Sequence, residues 1–336
     1  MKKYLYALFV IFLFSCENGS NQPTTPDYKN NELSSEKDLP YPVYLGNSGD
    51  KVTGLLGYGF DITGFSDSTS GRSKILDLAS PGLKVQVTTP ALNDFTLVTG
   101  KNESEFLANL SKSTESDIYH QSISLLKLAI ATDSLDKNDA FTYYCSTLVS
   151  TRYAMTADTT IYRNALTTAF KNDVKTLNSQ QLVAKYGTHV LTQVNSGKRL
   201  EVIYKAKTNM PLLNVDFFQK NGLYRRMYEY TNCFTGTFYF DLNTDYSGFR
   251  NERMIYNSYG SSKKFCGVLD TTDNNPANIR LDFSDWTNAT VQTKTFQFIG
   301  FQTNTPIPLY DLLSSSTQKT ALKKYIDQYI ADKSML

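Results

Sequence analysis

The side chains that could perform acid–base or metal chemistry are few in this sequence. It contains two histidines, His120 and His189, and Asp117 lies three residues before the first of them. A single such pair without further ligands is far more often surface than metal site, and carboxylates spaced like Asp241 and Asp245 are usually solvated. No glycine-rich phosphate loop, nucleophile elbow or zinc-protease helix occurs in the sequence. We therefore expect no enzyme activity, no cofactor and no metal site.

The stretch from Gln180 to Lys205 must position His189, and its first part is predicted to be a helix. Its apolar residues share one helical face: Leu182, Val183 and Tyr186. Ser179 is placed to cap the start of this helix, and Gly187 follows where a residue with positive φ would end it. His189 is thus expected at a helix–strand junction, where it satisfies buried backbone groups.

From His189 the apolar pattern changes to period two, which indicates a β-strand. One face carries Val190, Thr192, Val194, Leu200, Val202 and Tyr204. The other face is mainly polar and carries Gln193, Asn195, Arg199, Glu201 and Lys205. At about 3.3 Å per residue, such a strand would extend roughly 50 Å. We predict one long amphipathic strand with a bend at Gly197, because glycine within a strand marks a bend or a close backbone approach.

The run Tyr186–His189, with Gly197 eight residues after the histidine, resembles the signature of the membrane attack complex/perforin family. The continuation Arg199–Tyr204 resembles the bacterial lipoprotein branch of that family. Two residues depart from the pattern. Val190 replaces an aromatic residue that many members carry, and Lys198 replaces the second glycine of a pair. Lysine is costly there if the position needs a positive φ.

Further matches follow in the order that the family shows. Leu55–Gly64 contains Gly-Tyr-Gly-Phe-Asp and resembles the first sheet strand, and Met254–Ser261 resembles a later core strand. In that later strand Gly260 matches, whereas Ser261 replaces its partner glycine. The order is completed by Trp286, Phe296–Phe301, Pro306–Leu313 and an amphipathic last helix. The resemblance implies an α+β fold, similar to the cholesterol-dependent cytolysins, in which helical clusters flank a central bent, twisted antiparallel β-sheet. It implies a single such domain over 45–334.

Two long inserts interrupt these matches. Asn102 to Leu182 combines helical stripes with a period-two segment, and Asn209 to Arg253 is rich in aromatic residues and strand-like in part. The more common explanation of such a mixture is an ordinary α+β insert. The resemblance implies instead that both are membrane-inserting segments, which unfurl from helices into hairpins after subunits form a ring. The hinge for that change would comprise the family signature and the two bends: Tyr186, Gly187, Thr188, His189, Gly197 and Gly260.

The N-terminal residues predict export and lipidation. Lys2 and Lys3 precede the apolar run Tyr4–Phe14, which is too short to span a membrane. Leu13–Cys16 is similar to a bacterial lipobox. We expect residues 1–15 to be a lipoprotein signal peptide and 16–44 to be a disordered tether that begins at a lipidated Cys16. The protein would then be an exported bacterial lipoprotein of the outer membrane, exposed at the cell surface. An ordinary signal peptide with an incidental cysteine is the alternative.

Charge and cysteine content limit the partners and the covalent links of the mature chain. Removal of two lysines with the leader leaves 32 basic and 32 acidic residues. A neutral chain has no basic field to attract phosphates, so we expect no nucleic-acid partner. Three cysteines remain and allow at most one disulfide. We predict the pair Cys233–Cys266, both in the second half of the chain, and a free Cys145.

Two functional hypotheses follow. The first is a surface lipoprotein of this family that oligomerises into a ring and forms β-barrel pores in the membranes of competing bacteria. Its partners would be the lipid membrane, further copies of itself and a surface receptor on the target cell. The second is a non-lytic adhesin or binding module that keeps the fold. Lys198, Ser261 and the atypical second insert favour this second hypothesis.

Overall fold

The structure is a computed structural model that describes residues 49–50, 52–64, 68–113, 139–208, 248–260, 266–271, 298–302 and 305–333. The strands in these ranges are β1 Tyr58–Phe60, β2 Gly71–Lys74, β3 Lys84–Thr88, β4 Leu92–Gly100, β5 Ala140–Thr156, β6 His189–Val190, β7 Gln193–Thr208, β8 Phe249–Tyr259, β9 Cys266–Thr271, β10 Phe298–Gly300 and β11 Ile307–Pro308. The α-helices are α1 Glu103–Ser113, α2 Thr159–Asn164, α3 Thr168–Thr176, α4 Ser179–Tyr186 and α5 Ser316–Lys333. None of the helices in these ranges is long and apolar enough to cross a bilayer.

The larger sheet has seven strands in the described part of the chain, and its paired strands are antiparallel. The order is β3-β5-β7-β8-β9, while β4 also pairs with β5 and β10 also pairs with β7. The long strands β5 and β7 form the centre. A bulge at Ser150 shifts their register, and Ser150 Oγ donates a hydrogen bond to the carbonyl oxygen of Ser196 at 2.9 Å. Such a bulge bends the strand that contains it.

Each of the central strands β5 and β7 pairs along its outer edge with two different strands, one after the other. On β5, β4 pairs with Phe141–Val149 and β3 pairs with Arg152–Thr156. The chain turns between β3 and β4 at Ala91, whose φ is 46°. On β7, β10 pairs before Gly197 and β8 pairs after it. Both changes of pairing partner occur next to the bulge at Ser150. The predicted α+β fold with a central bent antiparallel sheet is confirmed.

The smaller sheet joins distant parts of the chain in the order β11-β6-β1-β2. His189 of β6 pairs with Phe60 on one side and with Pro308 on the other. The main hydrophobic core surrounds this sheet and includes residues of α2, α3, α4 and α5. The apolar stripe predicted for the last helix is confirmed, because Leu322 and Ile326 are buried in this core.

The strand predicted after His189 differs from the observed one in two respects. Leu191 and Thr192 separate β6 from β7, because β6 belongs to the smaller sheet and β7 to the larger. In addition, β7 is not amphipathic. Its polar side chains are buried like the apolar ones: Gln193, Asn195, Arg199 and Glu201. A period of two shows which residues share a face of a strand. Whether one face or both faces are buried depends on the layers that pack on the strand.

The helix α4 begins one residue away from its predicted cap. Asn178, not Ser179, is the N-cap residue. Its side chain accepts a hydrogen bond from the Gln181 amide at 2.9 Å, and the Gln181 side chain accepts one from the Asn178 amide at 3.0 Å. This capping box satisfies two backbone amides. Ser179 could not form it, because the third residue after Ser179 is Leu182.

Candidate functional site at two glycine crossings

The first crossing lies where the end of α4 meets β1. Gly187 ends the helix with a φ of 75°, the positive value that the sequence predicted. A Cβ atom on Gly187 would lie 2.7 Å from the Asp61 amide nitrogen and closer still to the Phe60 carbonyl. On the facing strand, a Cβ on Gly59 would lie 2.8 Å from the Tyr186 carbonyl carbon. Two glycines therefore allow the two backbones to touch. The role of Gly59 was missed, although the Gly-Tyr-Gly-Phe-Asp run was a signal for it.

Thr188 and His189 connect three segments at this crossing. The Thr188 amide donates to the Phe60 carbonyl at 3.0 Å, and the Leu309 amide donates to the Thr188 carbonyl at 3.0 Å. His189 Nδ1 lies 2.9 Å from Thr188 Oγ1. Burial lowers the pKa of His189 to about 4, although the Asp61 carboxylate nearby opposes this shift. His189 is therefore neutral at neutral pH, and in the part of the chain that the structure describes its contact is with a side-chain hydroxyl and not with the backbone groups that we expected from the sequence.

Tyr186 fixes the orientation of α4 against α3. Its ring lies edge-on to that of Phe170, with 4.8 Å between the centroids. Its hydroxyl donates to Asp173 Oδ2 at 2.6 Å, and Lys185 Nζ contacts the same oxygen at 2.5 Å. Burial favours the neutral acid at Asp173, but these two hydrogen bonds outweigh it and lower the pKa. The signature tyrosine is thus a positioning residue for the helix that Gly187 ends.

Asp61, next to the first crossing, links β1 to the C-terminal helix. Tyr329 donates to Asp61 Oδ2 at 2.7 Å, and Arg72 Nη2 lies 3.5 Å from the same oxygen. Thr63 Oγ1 donates to Asp61 Oδ1 at 2.6 Å. Burial favours the neutral acid, but the Lys333 charge, the Thr63 hydrogen bond and Arg72 outweigh it and lower the pKa of Asp61. Sequence reasoning noted this aspartate only as part of a motif, because its partners lie far along the chain.

The second crossing lies at the bend of the larger sheet. A Cβ on Gly260, whose φ is 76°, would lie 2.7 Å from the Gly197 carbonyl carbon. A Cβ on Gly197 would in turn meet the backbone of Leu148 and Ser150 at 3.0 Å. Each of the two predicted bends thus retains one glycine, and the two glycines touch each other. Lys198 is absent from the positive-φ residues of the described chain, so the backbone cost considered for it does not arise.

A buried charge pair lies beside the second crossing. Arg199 Nε is 3.8 Å from Glu201 Oε1, and the Arg199 guanidinium lies 4.1 Å from the centroid of the Tyr259 ring. Tyr143 donates to Glu201 Oε1 at 3.3 Å. Burial disfavours the charge of Arg199, but the Glu201 carboxylate outweighs it and raises the pKa above its ordinary value. The sequence placed both residues on a solvated strand face, so their role was missed.

The ends of four neighbouring strands in the larger sheet show where its two long connections begin and end. β4 ends beside the start of β5, with Gly100 paired to Phe141. β7 ends beside the start of β8, with Thr208 paired to Phe249. Because the start of β5 pairs with the end of β7, all four strand ends lie together. Both connections therefore leave from the same end of the sheet.

This topology divides the predicted membrane-inserting segments. The first connection is 101–139, between β4 and β5, and the second connection is 209–248, between β7 and β8. The segment Asn102 to Leu182 is therefore not one helical cluster. Its period-two part is already the central strand β5, and α2, α3 and the start of α4 pack in the main core. Of the segment Asn209 to Arg253, all but Gly248 and the start of β8 lies outside the described residues.

The helix α1 packs on the strand pair from which the first connection departs. The Phe106 and Phe141 ring centroids are 5.5 Å apart. A Cβ on Gly100 would lie 2.6 Å from Phe106 Cβ, so the strand end needs glycine to admit the helix. Asn109 Nδ2 donates to the Thr99 carbonyl at 2.9 Å. The start of the first connection is thus a helix docked on β4 and β5.

The other predicted positions fall partly outside the described residues. Cys16, Cys233 and His120 lie there, so the lipidation and the Cys233–Cys266 pairing stay predictions. Cys145 is a free, buried thiol. Burial and the Glu201 carboxylate raise its pKa to about 11. Among the described residues, no group of three or more His, Cys, Asp or Glu side chains could hold a metal ion.

Comparison with known proteins agrees with this geometry. The family profile of the MAC/Perforin domain matches residues 107–335. The solved structure of GNIP1Aa from Chromobacterium piscinae is similar, with a TM-score of 0.58 and 15% identity, over 86% of this chain and 57% of that chain. A protein with a MAC/Perforin domain from Bacteroides thetaiotaomicron VPI-5482 is also similar, with a TM-score of 0.59 and 14% identity, over 88% of this chain and 64% of that chain. No curated protein matches the sequence.

These comparisons establish the family rather than the activity. Identities of 14% and 15% show a common fold, and this chain spans 57% and 64% of the lengths of the two similar proteins. The family profile, in contrast, covers more than half of the chain and includes Gly187, Gly197 and Gly260, whereas Gly59 lies before the matched residues. The chain belongs to the MAC/Perforin domain family.

Proposed function

We propose that this protein forms pores by inserting two β-hairpins per subunit into a target membrane. The observation that carries the proposal is the shared sheet end from which both connections leave. If β4, β5, β7 and β8 continued in their present registers, four adjacent strands would extend in one direction. A closed ring of such extensions pairs every backbone group, which a bilayer requires of any β-structure.

The lengths of the two connections suit this change. A spanning strand needs about 9–11 residues, and each connection has about 40 residues, enough for two strands and a turn. The strands would not need a continuous apolar run, because one face of a barrel strand contacts lipid and the other faces the lumen. The proposal therefore uses 101–139 and 209–248 in place of the longer segments predicted from the sequence.

The residues of α1 are compatible with both structures. Phe106 and Leu110 are buried against the sheet and are four positions apart. Residues with this spacing share a face in a helix and also in a strand, because four is close to one helical turn and is an even number. Glu103, Glu105 and Asn109 would lie on the opposite strand face. In a hairpin that continues the present register, Phe106 and Leu110 would contact lipid and the polar residues would face the lumen.

Single cysteines at four positions test this register. We would replace the native cysteines and place one cysteine at Phe106, Leu110, Leu107 or Asn109, each carrying an environment-sensitive dye. On liposomes of bacterial lipid with a quencher on the acyl chains, we expect quenching of the attached dye at Phe106 and Leu110 but not at the two controls. Release of a trapped dye should accompany the quenching. Equal quenching at all four positions would contradict a strand in this register.

A non-lytic adhesin is the alternative function. One argument for it was the backbone cost of Lys198 at a positive φ, and that cost is absent because Lys198 does not adopt a positive φ. The adhesin hypothesis predicts binding to target cells with no release of trapped dye from liposomes or from membranes of those cells. That outcome would replace the pore proposal.

We further propose that the protein is displayed as a surface lipoprotein of the outer membrane and assembles into a ring on its target. Leu13–Cys16 and the polar residues that follow support the anchor. Cys16→Ser should abolish lipid labelling and move the protein from the membrane fraction to the soluble fraction. Unchanged membrane partition of this variant would discredit the anchor.

A further inference from the structure

A short segment crosses the bend of the larger sheet. It consists of residues 298–302 and Thr305, and we call it the strap. Its strand β10 pairs with Asn195 and Ser196 of β7. The strap thereby occupies the edge of β7 on the near side of Gly197, whereas β8 occupies the same edge on the far side. One edge of a strand can pair with only one partner at a time.

Arg199 attaches the strap to β7. Its Nη1 atom donates to the Ile299 carbonyl at 2.8 Å. Gly300 leaves room for this contact, since a Cβ there would lie 3.3 Å from Nη1. Behind the guanidinium are Glu201 and the Tyr259 ring. Arg199 and Glu201 are buried, so this charge-assisted hydrogen bond is shielded from water and strengthened.

A second attachment lies at the start of β7. Gln193 Oε1 accepts hydrogen bonds from the Gln302 amide and from Thr305 Oγ1, the latter at 3.3 Å. Thr192 Oγ1 donates to the Thr305 carbonyl. These contacts give a reason for the buried polar face of β7. Its side chains bind the backbone of the strap instead of water.

The strap also contacts the smaller sheet. The Phe298 and Phe60 ring centroids are 5.8 Å apart, and those of Phe301 and Phe60 are 5.5 Å apart. At the second glycine crossing, a Cβ on Gly260 would lie 3.1 Å from Ile299 Cγ2. The same few residues therefore contact β7, the bend and the smaller sheet.

We propose that the strap is an internal lock on the bent sheet, fastened by Arg199, and that it must leave β7 before the sheet opens at Gly197 and Gly260. A β8 strand extended along β7 past the bend would need the edge that β10 holds. The inference rests on the proposed function, because opening would precede insertion. The lock itself is a property of the protein in solution and can be tested without a membrane.

Hydrogen exchange of the protein in solution tests whether Arg199 holds the strap on β7. The variant carries Arg199→Gln together with Glu201→Gln, so that no unpaired carboxylate is left buried. We expect exchange of the amides in 298–302 to accelerate about tenfold or more, because a charge-assisted bond to the strap is lost. The control is Arg152→Gln, which removes an arginine bond to Asn195 of the same strand but no strap contact. The control should leave the strap amides unchanged.

Two results of this experiment would overturn the lock. The first is unchanged exchange of the strap in the double variant. The second is equal acceleration in the strap and in α3, which would show a loss of stability throughout the domain instead of a local release.

A cross-link tests whether the strap must leave. Ser196→Cys with Phe298→Cys joins the strap to β7 at paired positions. Leu148→Cys with Lys198→Cys joins β5 to β7 and is the matched control, because these strands stay paired in an opened sheet. In a background without native cysteines, the oxidised strap pair should abolish dye release from liposomes until reductant is added, and the control pair should not. Full release with the strap cross-linked would overturn the proposal. If the wild type releases no dye, the pore function fails, and hydrogen exchange alone decides the lock.

Discussion

The two glycine crossings solve the same steric problem in different surroundings. At the first, Gly59 and Gly187 bring α4 against β1, and most neighbours are core side chains and uncharged hydrogen-bonding groups around Thr188. Within the described residues, the one buried charge beside it, Asp61, is bound by side chains and not by a separate backbone segment. At the second, Gly197 and Gly260 bring β7 against the end of β8. Its neighbours are buried polar and charged side chains. Arg199 and Gln193 bind the strap, and Glu201 pairs with Arg199.

The difference suggests different mechanical roles. A close-packed apolar core resists small displacements, because a shift of one group leaves gaps or clashes for several others. Polar side chains that bind a backbone segment can release it and bind another partner or water instead. Such a site therefore has more than one favourable arrangement. We therefore expect the first crossing to be a fixed joint and the second crossing to be the place where the sheet moves.

Gly187→Val should cause the largest loss of stability. The substitution adds a β-branched side chain at a φ of 75° and against the backbone of Phe60 and Asp61. We expect a loss of about 4 kcal/mol, which corresponds to roughly 10 °C in melting temperature for a domain of this size. Gly82→Val is the matched control, since its φ is 86° but the nearest atom is 3.7 Å from the added Cβ. Equal losses in both variants would mean that the backbone contact contributes nothing.

Acid should weaken the first crossing through His189. Burial lowers the pKa of His189 to about 4, so the unfolded chain, with an ordinary pKa near 6.5, binds the proton more readily. Stability should therefore fall as the pH decreases from about 6.5 to about 4, by about 2 kcal/mol between pH 7 and pH 5. The facing carboxylates, Asp61 and Asp311, oppose the shift. Urea unfolding of His189→Gln should lack this decrease. The same decrease in both proteins would contradict the assignment.

Gly260→Ala should cost less stability than Gly187→Ala, although its added Cβ would also clash with backbone. We expect about 2 kcal/mol, because Gly260 directly follows the end of β8 and can move away from the Gly197 carbonyl, which displaces the strap at Ile299. Exchange of the amides in 298–302 should accelerate in Gly260→Ala and stay unchanged in Gly187→Ala. A loss in Gly260→Ala as large as that in Gly187→Ala, with an unaltered strap, would remove the distinction between a fixed joint and a moving one.

Tyr329→Phe should have the smallest effect and concerns the support of the first crossing. It removes the hydrogen bond from Tyr329 to the buried Asp61 carboxylate, and Lys333 Nζ also contacts that hydroxyl at 2.6 Å. We expect a loss of about 1 kcal/mol in urea unfolding. Tyr58→Phe serves as the control, because the Tyr58 hydroxyl has no hydrogen bond to any described residue. Equal losses would show that the link between α5 and β1 adds no stability.

Several features of the crossings could be predicted from the sequence because they are local. Gly187 directly follows an apolar helical face, so the end of the helix and its positive φ were predictable, and both are observed. The period of two after His189 predicted strand, and strand is present. The order of short motifs from Leu55 to the last helix indicated the family and a bent antiparallel sheet, and both are confirmed.

The partners of these local features depended on the tertiary structure. The Ile62 amide donates to Thr188 Oγ1 across 126 positions, and Arg199 reaches Ile299 across 100. No local sequence pattern indicates a contact between residues so far apart in the chain. The same holds for the contact of Gly197 with Gly260 and for the boundary between β5 and the first connection. Residue type and period determined which segments bend, end or alternate. Only strand register and layer packing decided which backbones touch, which polar side chains are buried, and between which strands the two long connections lie.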